Sequence, residues 1–459
     1  MGDYQMSKIH CFSLNNKHLV LDIGSGAVYS VDAPAYALIS ALLPVDCVPE
    51  SCPEKVQGEF CTAFPQEDLD ECYAELRSLY QDGRLFSEDK LEQYVGKAYS
   101  ADSPIKAMCL HIAHDCNLRC EYCFAAKGDF GTGRKLMSTE TACAAMDFLV
   151  ANSGNRRNLE VDFFGGEPLM NLNAVKQTVE YARGLEKTHD KLFRFTLTTN
   201  GLLLDDDAVD FINREMSNVV LSIDGRKAIN DKLRPTPNGK GSYDLIVPKY
   251  RHLVEARGRQ NYYVRGTFTK YNPDFCDDVM HLYELGFDQI SVEPVVSDKL
   301  LSFALDERDL PRIFEEYERL MLKIEEIKAD GGFINFFHFM LDLDGGPCAI
   351  KRMKGCGCGN EYVAVTPEGD IYPCHQFAGM EEWRMGTLMG GTLDRSIKER
   401  FAVAHIYTKE GCKDCWCRYF CSGGCNANNV QYMGDLLTPH SIGCELERKR
   451  VECALYLKA

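Results

Sequence analysis

From about residue 100 onward, short runs of β-branched and aromatic residues alternate with longer stretches whose apolar positions recur at helical spacing. That alternation is the βαβ signature of a parallel sheet covered by helices. Strands are expected at 106–112, 159–164, 193–199, 218–224, 262–269 and 289–296. Helices are expected at 138–152, 172–187, 205–215, 243–257 and 274–285, with a longer charged one near 307–329. Six such units make an incomplete barrel rather than the closed eight-fold form. The expected fold class is therefore α/β, a partial (β/α)6 barrel with its chemistry at the C-terminal ends of the strands.

The chain before this region has a different pattern. Two short strand patterns, His18–Ile23 and Ala27–Val31, flank a Gly24-Ser25-Gly26 turn. A helix is expected over Ala33–Leu43, with Pro34 near its start, followed by a proline- and cysteine-bearing connection from Pro44 to Phe64. An amphipathic helix over Glu67–Gln81 is closed by Asp82-Gly83, and Leu85-Phe86 begins a last short strand. These elements suit a winged-helix-like module or, on composition alone, a cap on the barrel. With the cysteine-dense end set apart, the domain reading is 1–95, 96–330 and 331–459.

A net charge of −17 argues against nucleic acid or an anionic membrane surface as partner. No apolar run approaches the roughly eighteen residues needed to span a bilayer. The first residues lack the apolar core of a signal peptide, so the expected location is the cytoplasm. Without an export signal, the 22 cysteines point to metal or redox chemistry rather than disulfides. Five precede residue 80 and eleven follow residue 340.

Just past the first barrel strand, Cys116, Cys120 and Cys123 fall at CxxxCxxC spacing, with Tyr122 directly before the third. Zinc sites and ordinary iron–sulfur clusters take four protein ligands. Three thiols leave one iron open. Strand two ends in Phe164-Gly165-Gly166-Glu167-Pro168, whose glycines allow close approach to the backbone and whose Glu167 can accept from an ammonium group. Strand three ends in Thr198-Thr199-Asn200-Gly201, and strand four in Ser222-Ile223-Asp224-Gly225. Ser222 and Asp224 share a face at a two-residue period. Arg234 follows, and strand six carries Val292-Glu293-Pro294. Singly each is an ordinary turn or cap; in this order, after successive strands, they form a pattern.

That pattern resembles the radical S-adenosylmethionine (SAM) enzymes. The resemblance implies a four-iron cluster on Cys116, Cys120 and Cys123 that cleaves SAM to a 5′-deoxyadenosyl radical. It implies SAM contacts from Tyr122, Gly165, Gly166, Glu167, Thr199, Asn200, Ser222, Asp224 and Arg234, with Glu167 on the amino group, Asp224 on the ribose and Arg234 on the carboxylate. Arg suits the last because its fork is two-pronged.

The tail carries Cys356-Gly357-Cys358, Cys374, then Cys412, Cys415, Cys417, Cys421 and Cys425, with Cys444 further on. Paired CxxC thiols also build structural zinc sites. Dropping Cys417, the tail resembles the SPASM extension of peptide-modifying radical SAM enzymes, which holds two auxiliary four-iron clusters. That makes three [4Fe-4S] clusters in all. The resemblance assigns Cys412, Cys415, Cys421 and Cys444 to one auxiliary cluster and Cys356, Cys374 and Cys425 to the other. The fourth position of the latter falls to Cys358, to Cys348 or to an open iron that binds a substrate thiolate, the last being favoured. The other cysteines read as small core residues, and His111, His114 and His375 as packing or hydrogen-bonding groups.

Within that group the chain most resembles the six-cysteine (SCIFF) peptide maturases, through Phe12–Leu14, Val20–Val28 and Gly359–Phe377. Those enzymes join a Cys sulfur to a carbon of an acceptor residue in a ribosomally made, cysteine-rich peptide. The resemblance implies a leader-recognition role for residues 1–95 and a flavodoxin- or ferredoxin-type reductant. The alternatives are another SPASM activity (sulfatase-maturating, epimerising or carbon–carbon crosslinking) and a non-catalytic, metal-bearing peptide-binding scaffold.

Overall fold

The first regular elements form a three-stranded antiparallel sheet of β1 (Ile9–Leu14), β2 (Lys17–Asp22) and β3 (Val28–Val31). The computed structural model describes residues 7–95, 100–343, 349–391 and 393–459. β1 is one strand more than the sequence pattern predicts. Asn15 and Asn16, at φ 41° and 64°, make the tight turn that folds it onto β2. Asn tolerates left-handed backbone, so an Asn pair between two apolar runs is a hairpin signal. Helices Ala33–Leu42 and Gln66–Gln81 place Leu38, Ile39, Leu69 and Leu76 with Val20 in a small separate core.

Two local expectations are corrected. The connection from Pro44 to Phe64 contains a helix, Glu54–Phe60, and Leu85-Phe86 is not a strand. Both residues are buried in the N-terminal core, with Phe86 at φ 53°. The Ser87 N–H donates to the Asp22 carboxylate at 2.9 Å. Anchoring to β2 thus overrides the β preference of this short segment.

The main sheet is built as expected. β4 (Ala107–His114), β6 (Asn158–Gly165), β7 (Leu192–Thr199), β8 (Met216–Ser222), β9 (Tyr262–Phe268) and β10 (Gln289–Pro294) lie side by side in chain order, all parallel. A two-residue strand, β5 (Lys135–Leu136), pairs back on the end of β4. Another, β11 (Asn335–Phe336), extends the β10 edge. Helices Thr139–Asn152, Leu172–His189, Asp206–Glu215, Tyr243–Ala256, Phe275–Glu284 and Leu310–Ala329 cover the sheet, close to their expected limits. All eight residues of β4 are buried, as befits a parallel strand covered on both faces. A short helix, Lys227–Leu233, falls where the sequence pattern predicts none.

The tail is not a separate layer. β12 (Tyr362–Val365) pairs parallel with β4, from Tyr362 opposite Ala107 to Val365 opposite Leu110. β13 (Asp370–Tyr372) and β14 (Gly386–Thr387) add antiparallel beyond it. The barrel sheet thereby runs on into the cysteine-rich region. The last helix, Ser441–Tyr456, packs against Leu310–Ala329 and β1, closing the chain back onto its N-terminal unit. Among the described residues, no helix is long and apolar enough to cross a membrane.

Candidate functional site

The three-thiol loop leaves the end of β4 and is fastened on both sides. The Arg119 N–H donates to Pro235 O at 2.8 Å and the Glu121 N–H to Leu233 O at 2.9 Å, tying the loop to the end of helix Lys227–Leu233. On its other side a Cβ on Gly128, at φ +105°, would sit 2.6 Å from the Cys116 Cβ. Only glycine fits there. The Cys116 sulfur accepts from the Leu118 N–H at 3.4 Å and from Asn200 Nδ2 at 3.5 Å. Burial raises the thiols of Cys116 and Cys120 to about 12 and about 11. Such buried thiols become thiolates only against a compensating cation, which is the electrostatic setting of a metal ligand set.

These thiols open on a cavity of about 270 Å³ at the C-terminal ends of the strands. Cys116, Cys120, Cys123, Tyr122, Gly165, Gly166, Glu167, Thr199, Asn200, Ser222 and Arg234 all line it. Gly166 passes so close to the cluster loop that a Cβ would lie 2.1 Å from Asp115 O. Glu167 is buried and accepts from Thr199 Oγ1 at 2.7 Å, the Asn200 N–H at 2.7 Å and the Leu169 N–H at 3.0 Å. Burial raises its carboxyl to about 7 even so. A cationic ligand in the cavity would restore its ionised form.

Asp224 behaves differently from the expectation. It is wholly buried and absent from the cavity wall. Its carboxylate accepts the Tyr122 hydroxyl at 2.7 Å and the Thr267 N–H at 3.1 Å, and pairs with Arg234 at 3.7 Å. Asp224 thus sits behind Tyr122 and Arg234 rather than on the cavity wall, where a ribose contact was expected. Arg234 Nη1 donates to the Tyr122 hydroxyl at 2.8 Å, while its buried Nε has no partner among the described residues. A guanidinium anchored on one edge with an unsatisfied donor on another suits a carboxylate ligand.

Arg265 is a cavity residue that the sequence reading missed. It alternates with Thr267 along β9 and donates to Glu293 at 2.6 Å. Glu293, its side chain 35% exposed at the cavity wall, is raised by partial desolvation but brought down to about 2 overall, chiefly by the Arg265 charge. A charged residue at an inward-facing strand position was the available signal. His375 also lines the cavity, its ring tilted against those of Phe124 and Phe164, and His111 meets His114 at 3.0 Å.

In the tail, the chain brings two sets of thiols together from distant segments. Cys412, Cys415, Cys421 and Cys444 lie within electrostatic reach of one another, as do Cys356, Cys374 and Cys425. Cys358 is buried close to both Cys356 and Cys374. That contact brings the Cys356 thiol down to about 6, while burial drives Cys358 well up. Cys348 lies outside the described residues. Cys417 and Cys453 are buried core positions. Among the described residues, no three His, Cys, Asp or Glu side chains close in on a single metal ion. A second cavity, about 290 Å³, is lined by Cys421, Cys425 and Cys444 and shares Glu293, Pro294 and Asn428 with the first. The two spaces adjoin.

The profile of the 4Fe-4S single cluster domain matches residues 107–248, the span from β4 into the helix before β9. The chain is 24% identical over 336 residues to a cysteine-type anaerobic sulfatase-maturating enzyme of Clostridium novyi, covering 68% of this chain and 86% of that protein. It is 22% identical over 365 residues to the radical SAM cyclopropyl synthase TigE of Paramaledivibacter caminithermalis, covering 74% and 72%. Among solved structures, anSMEcpe with bound AdoMet superposes with a TM-score of 0.64 at 20% identity, over 76% of this chain and 97% of that one. Streptococcus suis SuiB bound to S-adenosylmethionine does so with a TM-score of 0.53 at 16% identity, over 95% and 98%. The chain is thus similar over two thirds or more of its length to radical SAM maturases, shares the α/β fold of the solved structures that superpose on it, and matches the 4Fe-4S single cluster domain across the front of its barrel.

Proposed function

We propose that this enzyme installs a thioether between a Cys sulfur and a carbon of an acceptor residue in a ribosomally made, cysteine-rich peptide. The observation that carries the reading is the pair of adjoining cavities, one bounded by the three-thiol loop and the strand ends, the other by the tail thiols. With a four-iron cluster on Cys116, Cys120 and Cys123 and SAM bound, the site supplies a 5′-deoxyadenosyl radical able to take hydrogen from an unactivated carbon. The protein's part is to bind, orient and exclude water. Glu167 receives the amino group of SAM and Arg234 its carboxylate, each already held by neighbours in the ligand-free chain. Asp224 and Tyr122 fix the guanidinium in place. Gly165 and Gly166 keep the floor open, and Thr199, Asn200 and Ser222 offer polar contacts on the wall.

The two tail sets would hold a four-iron cluster each, making three with the barrel cluster. Cys358 supplies the fourth thiol of the Cys356, Cys374 and Cys425 set, a reading favoured over an open iron by its contact with two of them. Residues 1–95 would bind the leader of the precursor peptide. Among the described residues β3 pairs with β2 alone, and its outer edge would accept an extended segment as an added strand. A flavodoxin- or ferredoxin-type protein would supply electrons.

A second reading, sulfatase maturation, is favoured by the relatives bearing that name. Anaerobic incubation of the reconstituted enzyme with a cysteine-rich leader–core peptide, followed by tandem mass spectrometry, separates the two. The expected product has lost two hydrogens and one free thiol per crosslink. A Cys or Ser converted to an aldehyde in a sulfatase-derived peptide, with the cysteine-rich peptide untouched, would refute the thioether assignment.

A further inference from the structure

Lys409 lies in the turn leading to Cys412 and is only 3% exposed. A buried ammonium is costly unless its donors are satisfied and opposite charge is near. Its Nζ donates to Gly423 O at 2.7 Å and to Asn426 Oδ1 at 2.7 Å. Among the described residues no carboxylate lies within ion-pair distance of it. The two acceptors flank Cys425. Ser422, Gly423 and Gly424, at φ 56°, 81° and 71°, form the left-handed turn that separates Cys421 from Cys425. A Cβ on Gly423 would fall 2.9 Å from Lys409 Cδ, so the lysine stem fills the space beside that turn. Cys421 belongs to one thiol set and Cys425 to the other.

The charges around it come from both sets. Burial lowers the Lys409 ammonium from its ordinary value, and Cys412 and Cys421 on one side, with Cys425 and Cys356 on the other, oppose that shift. The Cys412 N–H also donates to the Lys409 carbonyl at 3.2 Å. Lys354 faces Cys356 and Cys358, and Arg448 faces Cys412 and Cys444. Lys409 faces members of each.

We propose that Lys409 is a positioning residue shared by the two tail clusters: it latches the Cys421–Cys425 turn, and its ammonium favours the reduced form of both clusters. This rests on the reading that each thiol set holds a four-iron cluster. A cluster gains negative charge on reduction, and a cation fixed beside it in a low-dielectric interior stabilises that state. Removing the cation therefore moves the midpoint potential downward.

The test compares full-length, anaerobically reconstituted wild type with Lys409→Gln, which keeps hydrogen-bonding capacity without charge, and Lys409→Arg, which keeps the charge. Iron is counted, and each cluster's midpoint potential is read by a redox titration followed by electron paramagnetic resonance. At full iron content, Lys409→Gln is expected to shift both tail potentials negative and leave the barrel cluster unmoved, with Lys409→Arg near wild type. Loss of both tail clusters with the barrel cluster retained also supports a shared tie. Unshifted potentials at full iron content, or a change confined to one tail cluster, overturn the proposal. Wild type carrying about four irons instead of about twelve sinks the cluster reading itself, independently of Lys409.

Discussion

Glu167→Gln is nearly isosteric and removes one charge from the centre of the cavity. In the ligand-free chain the carboxylate accepts from Thr199, Asn200 and Leu169. An amide keeps one accepting oxygen and turns its NH2 toward groups that are themselves donors, so part of that network is lost. Toward a bound amino group the loss is larger. A hydrogen bond to a charged partner contributes about 1.5–3 kcal/mol, so SAM should bind about 10- to 150-fold more weakly to the variant. The effect must depend on pH, because burial raises the Glu167 carboxyl to about 7. Below that pH the wild-type carboxyl is largely neutral and resembles the amide. The ratio of the two dissociation constants should therefore approach one near pH 5.5 and reach its full value by pH 8. Linkage in the ligand-free protein has a definite sign. A carboxyl raised in the folded state contributes stability that is present below its unfolded value and is lost as pH rises through about 7. Wild type should thus lose more stability than Glu167→Gln between pH 5 and pH 8. Calorimetric titration of the oxidised, reconstituted enzyme with SAM, in which no cleavage occurs, measures the binding ratio. A ratio near one at pH 8, or one that does not change with pH, would show that Glu167 does not receive the ligand.

Replacing Cys116, Cys120 and Cys123 together with Ala should abolish 5′-deoxyadenosine formation while leaving the tail-cluster absorbance; persistent cleavage would refute the assignment of the loop. Gly128→Ala sets a Cβ 2.6 Å from the Cys116 Cβ on a backbone at φ +105°, a strain of about 1–3 kcal/mol or more. It should lower the fraction of protein that carries the barrel cluster, read as iron per chain, and leave the tail clusters in place. Cys358→Ala should lower the iron retained by the first tail set or convert it to a three-iron form visible by electron paramagnetic resonance. An unchanged four-iron signal would return the fourth position to Cys348 or to an open iron. Arg234→Lys keeps the charge but not the fork, and should weaken SAM binding about tenfold or more, with the barrel cluster still assembled.

Much of this protein is carried by local pattern. A strand in a parallel sheet needs a short apolar run and a covering helix needs its own period, and both are properties of neighbouring residues. β4, β6, β7, β8, β9 and β10 and the helices between them follow from that alone. So do the CxxxCxxC loop and the Gly165-Gly166-Glu167 strand end, because in this fold each functional residue sits just after a recognisable strand. The departures arise where a distant partner decides. Leu85-Phe86 is held off a strand by Asp22, more than sixty residues away in the chain. Asp224 shares a strand face with Ser222, yet its carboxylate is taken up by Tyr122 and Arg234 and stands off the cavity wall. β12 joins β4 across some 250 residues, which no local period announces. Spacing alone left Cys358 as one of three candidates for a fourth ligand, whereas packing puts it close to both Cys356 and Cys374. Lys409 carries no sequence mark at all, and only the fold shows its buried ammonium held by Gly423 and Asn426 beside the Cys421–Cys425 turn. The sequence by itself determined the barrel, the order of its strands and the chemistry of its donor groups. Tertiary structure decided which donors face the cavity and which stand behind it, because burial and partnership depend on contacts between segments far apart in the chain.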